Sequence, residues 1–274
     1  MPHPAMNPNA IIDHITDWLS SYAGNAGTRG FVVGVSGGID SAVTSSLAAR
    51  TGYPTLCLAM PIHQEPSQDV RAQKHMARLE REFDNITLIR TDLTPVFNAF
   101  VEAMPAGGNE ASQPLSLANT RSRIRMATLH YFAGLHRYLV VGTGNKVEDF
   151  GVGFFTKYGD GGVDLSPIAD LTKTEVYALG GALDVSEEIM AARPTDGLWA
   201  DNRNDEDQLG ASYQELEWAM DHEADCAGSE ALTPRKREVL EIYRRFHAAN
   251  QHKMVPIPVC QIPEKYKRAP HNPD

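Results

Sequence analysis

The chain has 274 residues, enough for one large domain or one domain with a helical extension. A hydrophobic content of 42% beside 22% charged residues is that of a globular protein, and a net charge of −10 excludes general binding to a nucleic-acid backbone, so an anionic substrate must meet a local basic cluster. Three cysteines (Cys57, Cys226 and Cys260) without a C-x-x-C pair argue for a reducing compartment and against structural zinc. No apolar run approaches the roughly 20 residues of a bilayer span, and no basic-then-apolar leader opens the chain, so the expected location is the cytoplasm with no membrane partner.

In chain order, residues 8–23 carry Ile11, Ile12, Ile15, Trp18, Leu19 and Tyr22 at helical spacing. The β-branched run 31–35 predicts a buried strand, followed by a helix over about 39–50 that ends near Gly52. Residues 55–61 read as a second strand, 67–83 as a charged helix, 86–91 as a third strand and 94–103 as a helix. A loop over 105–114, centred on Gly107-Gly108-Asn109, leads into a long helix over 116–136 and a fourth strand, Tyr138–Gly142. Strands alternating with helices predict an α/β, Rossmann-like, doubly wound parallel sheet with helices on both faces and ligands beyond the carboxyl ends of its strands. After residue 172 the pattern is helical only, over 172–183, 186–192, 211–224 and 233–249, and Pro256, Pro258, Pro263, Pro270 and Pro273 predict an extended tail. The expected organisation is a single domain: an α/β core over about 8–183, a helical C-terminal extension over about 184–255 and a tail over 256–274. The acidic run 201–207 reads as solvated loop ahead of ligand binding, and 105–114 and 197–207 are the candidate mobile loops.

The chemistry lies in the turns. Ser36-Gly37-Gly38-Ile39-Asp40-Ser41 joins the first strand to a helix N-terminus. Its glycines let backbone N–H groups approach a ligand, and the helix start adds open donors and positive dipole, which together suit phosphate. A carboxylate at Asp40 would repel phosphate unless a cation lies between them, and Mg2+ is the natural candidate. No lysine follows, so this is not a Walker loop. A second glycine turn, Gly142-Thr143-Gly144-Asn145-Lys146, leads to Glu148, either an ordinary helix-start acid or a second carboxylate for the same ion. The run Gly151–Asp164 has too many glycines for a helix. Its Phe154 and Phe155 pack or stack, Lys157 can meet a phosphate, and Asp160 and Asp164 can order the loop or bond a substrate. Thr172 with Glu175 forms a capping box, and Lys173 in the first turn of that helix is electrostatically out of place unless an anion is bound. Arg121 and Arg125 share one face of the long helix and Arg123 lies nearly opposite, with two of the three expected at the surface.

Ser-Gly-Gly-x-Asp-Ser resembles the pyrophosphate loop of N-type ATP pyrophosphatases. Together with Gly142-Thr143, Glu148, Phe154-Phe155-Thr156-Lys157-Tyr158-Gly159-Asp160-Gly161-Gly162-x-Asp164, Lys173 and Arg193-Pro194-Thr195-Asp196, it resembles the ammonia-dependent NAD synthetases over residues 8–255. The resemblance implies that Gly34, Val35, Ser36, Gly37, Gly38, Ile39, Asp40, Ser41, Thr143, Lys173 and Thr195 bind ATP. It implies Asp40 and Glu148 as Mg2+ ligands. Arg123, Lys157, Asp164, His252 and Lys253 would bind deamido-NAD, within a homodimer whose dinucleotide site lies partly across the subunit interface. Many members carry Gly-Thr-Asp-His where this chain has Gly142-Thr143-Gly144-Asn145.

The reaction so implied is adenylation of the deamido-NAD carboxylate by ATP, then attack by ammonia to give NAD, AMP and pyrophosphate. Asp40 and Lys173 would serve the first step. Asp160 or Asp164 would take the proton of ammonium. Two other classes fit the loop: another ATP pyrophosphatase of the same fold, and a nucleotide sensor that binds ATP without turnover.

Overall fold

The computed structural model describes residues 6–105, 107, 109–195, 197–199, 204–223 and 232–267. Four parallel strands form one sheet in the order β3-β2-β1-β4: β1 Phe31–Gly34, β2 Thr55–Ala59, β3 Ile86–Arg90 and β4 Leu139–Val141. The chain steps outward from β1 to β3, then returns to the other side of β1. This reversal leaves a crevice between the carboxyl ends of β1 and β4, where ligands of such sheets bind.

Side-chain alternation covers both faces. Phe31 and Val33 point to α1 (Pro8–Ala26), α2 (Ile39–Arg50) and α6 (Lys173–Ala182), in a core with Leu19, Leu47, Val141 and Leu179. Val32, Leu56, Leu58 and Val140 point to α4 (Thr94–Ala103) and α5 (Gln113–His136), where they meet Phe97 and Ala133. Cys57 and Ala59 pack on α3 (Pro66–Glu82) through Ala72, Met76 and Leu79.

The helical extension comprises α7 (Glu187–Met190), α8 (Asp205–Leu209), α9 (Tyr213–His222) and α10 (Pro234–Met254). It has its own core of Leu209, Tyr213, Leu216, Val239 and Tyr243, closed by Val147 and Val152. Those two valines come from a π-helical turn, Val147–Val152, which replaces the α-helical start expected after the fourth strand. Such wide turns are frequent at functional sites. The acidic run is corrected as well. Its residues 204–207 enter a short helix capped by the side chain of Asn204, whose Oδ1 accepts from Asp207 N at 2.7 Å; residues 201–203 lie outside the described set. None of the described helices is long and apolar enough to cross a membrane.

Candidate active site

The register Val33↔Val141 sets the ends of β1 and β4 level, so the turns that follow them lie side by side. Gly37 adopts φ +84°, and a Cβ there would lie 2.5 Å from the carbonyl of Gln68, so the turn requires glycine twice over. Ser36 N donates to Ser41 Oγ (3.2 Å) and Ser41 Oγ donates to Gly38 O (3.0 Å), which fixes the loop onto the helix it precedes. Gly38 caps α2 with no side-chain bond, so the first-turn amides of Ile39, Asp40 and Ser41 keep their donors for an incoming anion.

Beside this turn lies a buried charge cluster. Lys173 Nζ donates to Asp40 Oδ2 (2.6 Å) and to Glu148 Oε1 (3.0 Å), and sits 4.6 Å from the ring centre of Tyr213. Asn145, fully buried, ties the two acids together: its Nδ2 donates to Asp40 Oδ1 (3.1 Å) and its Oδ1 accepts from Glu148 N (3.1 Å). Tyr213 OH is 2.5 Å from Glu148 Oε1 and 3.2 Å from Asp205 Oδ2, which brings a third, buried carboxylate into the cluster. Burial acts to lower the Lys173 ammonium pKa, but Asp40 and Glu148 outweigh it and hold it above the usual lysine range. Burial pushes the Glu148 carboxyl up, Asp40 adds to this, and Lys173 opposes both. The lysine out of place at a helix start is therefore held by two acids. Its helix carries the expected capping box, Glu175 N donating to Thr172 Oγ1 and Thr172 N to Glu175 Oε2.

A cavity of about 250 Å3 opens over the cluster. It brings together Gly34, Val35, Ser36, Gly38, Ile39, Asp40 and Ser41 with Thr143, Glu148, Asp160, Lys173 and Thr195, while Gly37 faces α3 instead. Arg123, Lys157, Asp164, His252 and Lys253 do not line it. Arg123 donates to Lys157 O (3.3 Å) and Lys157 Nζ to His252 O (2.7 Å), while Lys253 lines a second, smaller cavity. Asp164 Oδ2 accepts from Val140 N at 2.8 Å, a bond that pins the loop to β4. Asp160 receives Ser122 Oγ (2.6 Å) and Thr156 N (3.0 Å), both on Oδ1. Asp196 lies outside the described residues.

The arginine expectation reverses. Arg125 faces inward, lines the cavity and donates to Met60 O (3.0 Å) and Gln64 Oε1 (2.8 Å), and Arg121 stacks 4.3 Å over Phe97. Arg123 is the exposed one of the three. Sequence reasoning also missed Asn145, Asp205 and Tyr213. Only Asp205 had a local signal, since Asn204 before an acidic turn and Gly210 after Leu209 are helix boundaries.

A second cavity of about 140 Å3 lies behind the wall formed by Gly142, Asp160 and Val163. Asp149 lines it. Burial, reinforced by Glu148, Asp160 and Asp40, pushes the Asp149 carboxyl up to about 8. A Cβ on Gly144 would collide with that carboxylate.

Among the described residues no three His, Cys, Asp or Glu side chains are arranged to hold a metal by themselves. Asp40 and Glu148 are two carboxylates beside an open phosphate-binding turn. That is the donor set that suits Mg2+, which takes one or two carboxylates together with substrate phosphates.

The sequence pattern of a family described as NAD synthase matches residues 11–256. An NH(3)-dependent NAD(+) synthetase of Syntrophomonas wolfei is 35% identical, over 96% of this chain and 100% of its own length. Among solved structures, NMN synthetase from Francisella tularensis superposes with a TM-score of 0.79 at 32% identity, over 94% of this chain and 99% of that one. The NH3-dependent NAD synthetase from Campylobacter jejuni, at 24% identity and a TM-score of 0.75 over 94% of this chain and 100% of that one, shares the fold.

Proposed function

The chain belongs to the NAD synthase family, and we propose that it is a ligase that amidates deamido-NAD with ammonia, using ATP, in the last step of NAD biosynthesis. We place the reaction in the cytoplasm, within one NAD synthase domain that works as a homodimer. The observation that carries this reading is the convergence of Asp40, Glu148 and Lys173 beside an uncapped helix N-terminus at the switch point of the sheet.

In the first step a carboxylate oxygen of deamido-NAD attacks the α-phosphorus of ATP. The bond from that phosphorus to the bridging oxygen breaks, and pyrophosphate leaves. The first-turn amides of α2 and the Lys173 ammonium receive the charge that develops on the leaving group. Mg2+, which Asp40 and Glu148 would hold, supplies further neutralisation of the polyphosphate when bound. Thr143 and Thr195 line the same cavity and complete the ATP site. In the second step ammonia attacks the acyl carbon, the acyl carbon–oxygen bond breaks, AMP leaves with that oxygen, and the nitrogen gives up a proton. Asp160 suits that proton better than Asp164. It lines both cavities with both of its hydrogen bonds on one oxygen, whereas Asp164 is bonded to the β4 backbone. Most of the acceleration comes from positioning and charge stabilisation. Arg123, Lys157, Asp164, His252 and Lys253, none of which lines the ATP cavity, receive deamido-NAD.

The likeness to a solved NMN synthetase favours a second reading, in which the acid is the mononucleotide of nicotinic acid. One assay separates them: amide formation from each acid with ATP, Mg2+ and ammonium, with glutamine as the comparison nitrogen source. Turnover of deamido-NAD with ammonium and not glutamine is expected. In Asp40→Asn pyrophosphate release falls at least a hundredfold, and an undiminished rate in that variant would remove the proposed metal role.

A further inference from the structure

The helical extension reaches the charge cluster from behind the main cavity, through one helix. Tyr213 is the first residue of α9, directly after the Ser212 cap, and its N–H donates to Glu206 Oε1 (3.0 Å). One helical turn on, Glu217 accepts from Thr174 N (2.8 Å) and Thr174 Oγ1 (2.7 Å). Thr174 follows Lys173 in the first turn of α6, so α9 grips the start of the helix that carries the lysine.

The ring of Tyr213 has an ordinary place in the core with Leu209, Leu216 and Val239, which a phenylalanine would fill as well. Its hydroxyl does not belong to that core. A buried hydroxyl needs a partner, and here two carboxylates face it, Glu148 Oε1 at 2.5 Å and Asp205 Oδ2 at 3.2 Å. A phenol has one hydrogen, and the shorter contact takes it. Glu148 Oε1 then receives both Tyr213 and the Lys173 ammonium (3.0 Å). Glu148 Oε2 receives no hydrogen bond from the described residues and is left for a ligand. Tyr213 does not line the main cavity, whereas Glu148, Lys173 and Asp205 do. It can act on anything bound there only through them.

We propose that Tyr213 is a positioning residue of the adenylation site: its hydroxyl anchors one oxygen of Glu148 so that the other is presented to Mg2+, while its ring flanks the Lys173 ammonium at 4.6 Å. The assignment rests on the amidation reading, in which Asp40 and Glu148 hold that ion. It makes the helical extension part of the metal site without giving it a ligand of its own.

The test uses the full-length protein and Tyr213→Phe, which removes one oxygen and keeps the ring in its core and beside Lys173. One measurement is the Mg2+ requirement for binding an ATP analogue that cannot be cleaved between its α- and β-phosphates, by titration calorimetry. The other is the Mg2+ requirement for exchange of labelled pyrophosphate into ATP with deamido-NAD. Residues that orient a metal ligand commonly contribute 10–100-fold to metal affinity, so the Mg2+ midpoint is expected to rise roughly tenfold in both, with exchange at saturating Mg2+ within about threefold of the parent. A lower melting temperature with an unchanged Mg2+ midpoint would make Tyr213 a packing residue and overturn the proposal. The same change made in Glu148→Gln should move the midpoint less than about twofold, because the group it acts through has been altered. A further tenfold shift in that background would also overturn it. Absence of exchange in the parent protein is a separate outcome, because it would overturn the amidation reading itself.

Discussion

Lys173 is the buried cation that two half-buried carboxylates, Asp40 and Glu148, share. Removing one partner of a buried ion pair leaves an uncompensated charge and costs about 3–5 kcal/mol. Lys173→Met is therefore expected to lower the melting temperature in chelator, by leaving Asp40 and Glu148 facing one another. Millimolar Mg2+ should then raise the melting temperature of the variant more than that of the parent, since a divalent ion takes over the neutralisation. An equal response in both proteins, measured by calorimetry, would contradict a cation site shared with the lysine. His75 gives an independent prediction away from the site. It is buried with Nε2 2.9 Å from Ser45 Oγ, and burial, helped by Arg78, pushes it down from 6.5 to about 4. Between those values the unfolded chain binds a proton that the folded chain refuses. Stability should thus be full above pH 6.5 and fall as pH drops toward 4, by about 3 kcal/mol in all. Urea unfolding across that range checks this, and the slope should flatten in His75→Gln.

The turn between β1 and α2 is the element on which nucleotide binding depends, and its shape is set by Gly37. A side chain there meets both the φ of +84° and the Gln68 carbonyl. Gly37→Ala is expected to cost about 1–3 kcal/mol from backbone strain and to weaken ATP binding at least tenfold in titration calorimetry; unchanged affinity would show that the turn does not hold the phosphates. This element was legible because a β-branched run, two glycines and a helix start have no other common arrangement. The helix expected over 94–103 is likewise found as α4, Thr94–Ala103. The π-turn was not legible, since no local period encodes it. Its width is fixed by Val147 and Val152 reaching a core supplied by α9 and α10, which follow tens of residues later in the chain. Asp205 was hidden for the opposite reason. Acids at a helix N-terminus are favourable, yet by composition they look like solvated loop. Spacing along α5 separated Arg123 from Arg121 and Arg125 correctly. Which face was inward depended on Phe97, Met60 and Gln64, chain-distant partners that no spacing reveals.

At the scale of the whole molecule, space is the constraint. The main cavity offers about 250 Å3, while sites for single drug-sized ligands commonly span roughly 300–1,000 Å3, so this cavity by itself does not hold both ATP and a dinucleotide. Arg123, Lys157 and His252 already form a connected row on the open side of the 153–164 loop, outside the cavity. The outward face of α5 exposes Tyr131 and Leu135, at 65% and 61% of their area, one helical turn apart. A second copy of the chain packed against this helix would cover apolar surface and wall in the row. The expected result is a dimer by sedimentation, with Tyr131→Glu/Leu135→Glu shifting it to monomer, leaving ATP affinity intact and raising the KM for deamido-NAD more than tenfold. Mixing tests the shared site directly. Asp40→Asn and Arg123→Ala chains, each inactive alone, should regain activity when dissociated and reassociated together, because half of the sites in each mixed dimer then draw both native residues from different chains. No recovery on mixing, or a fully active monomer, would place the whole dinucleotide site within one subunit.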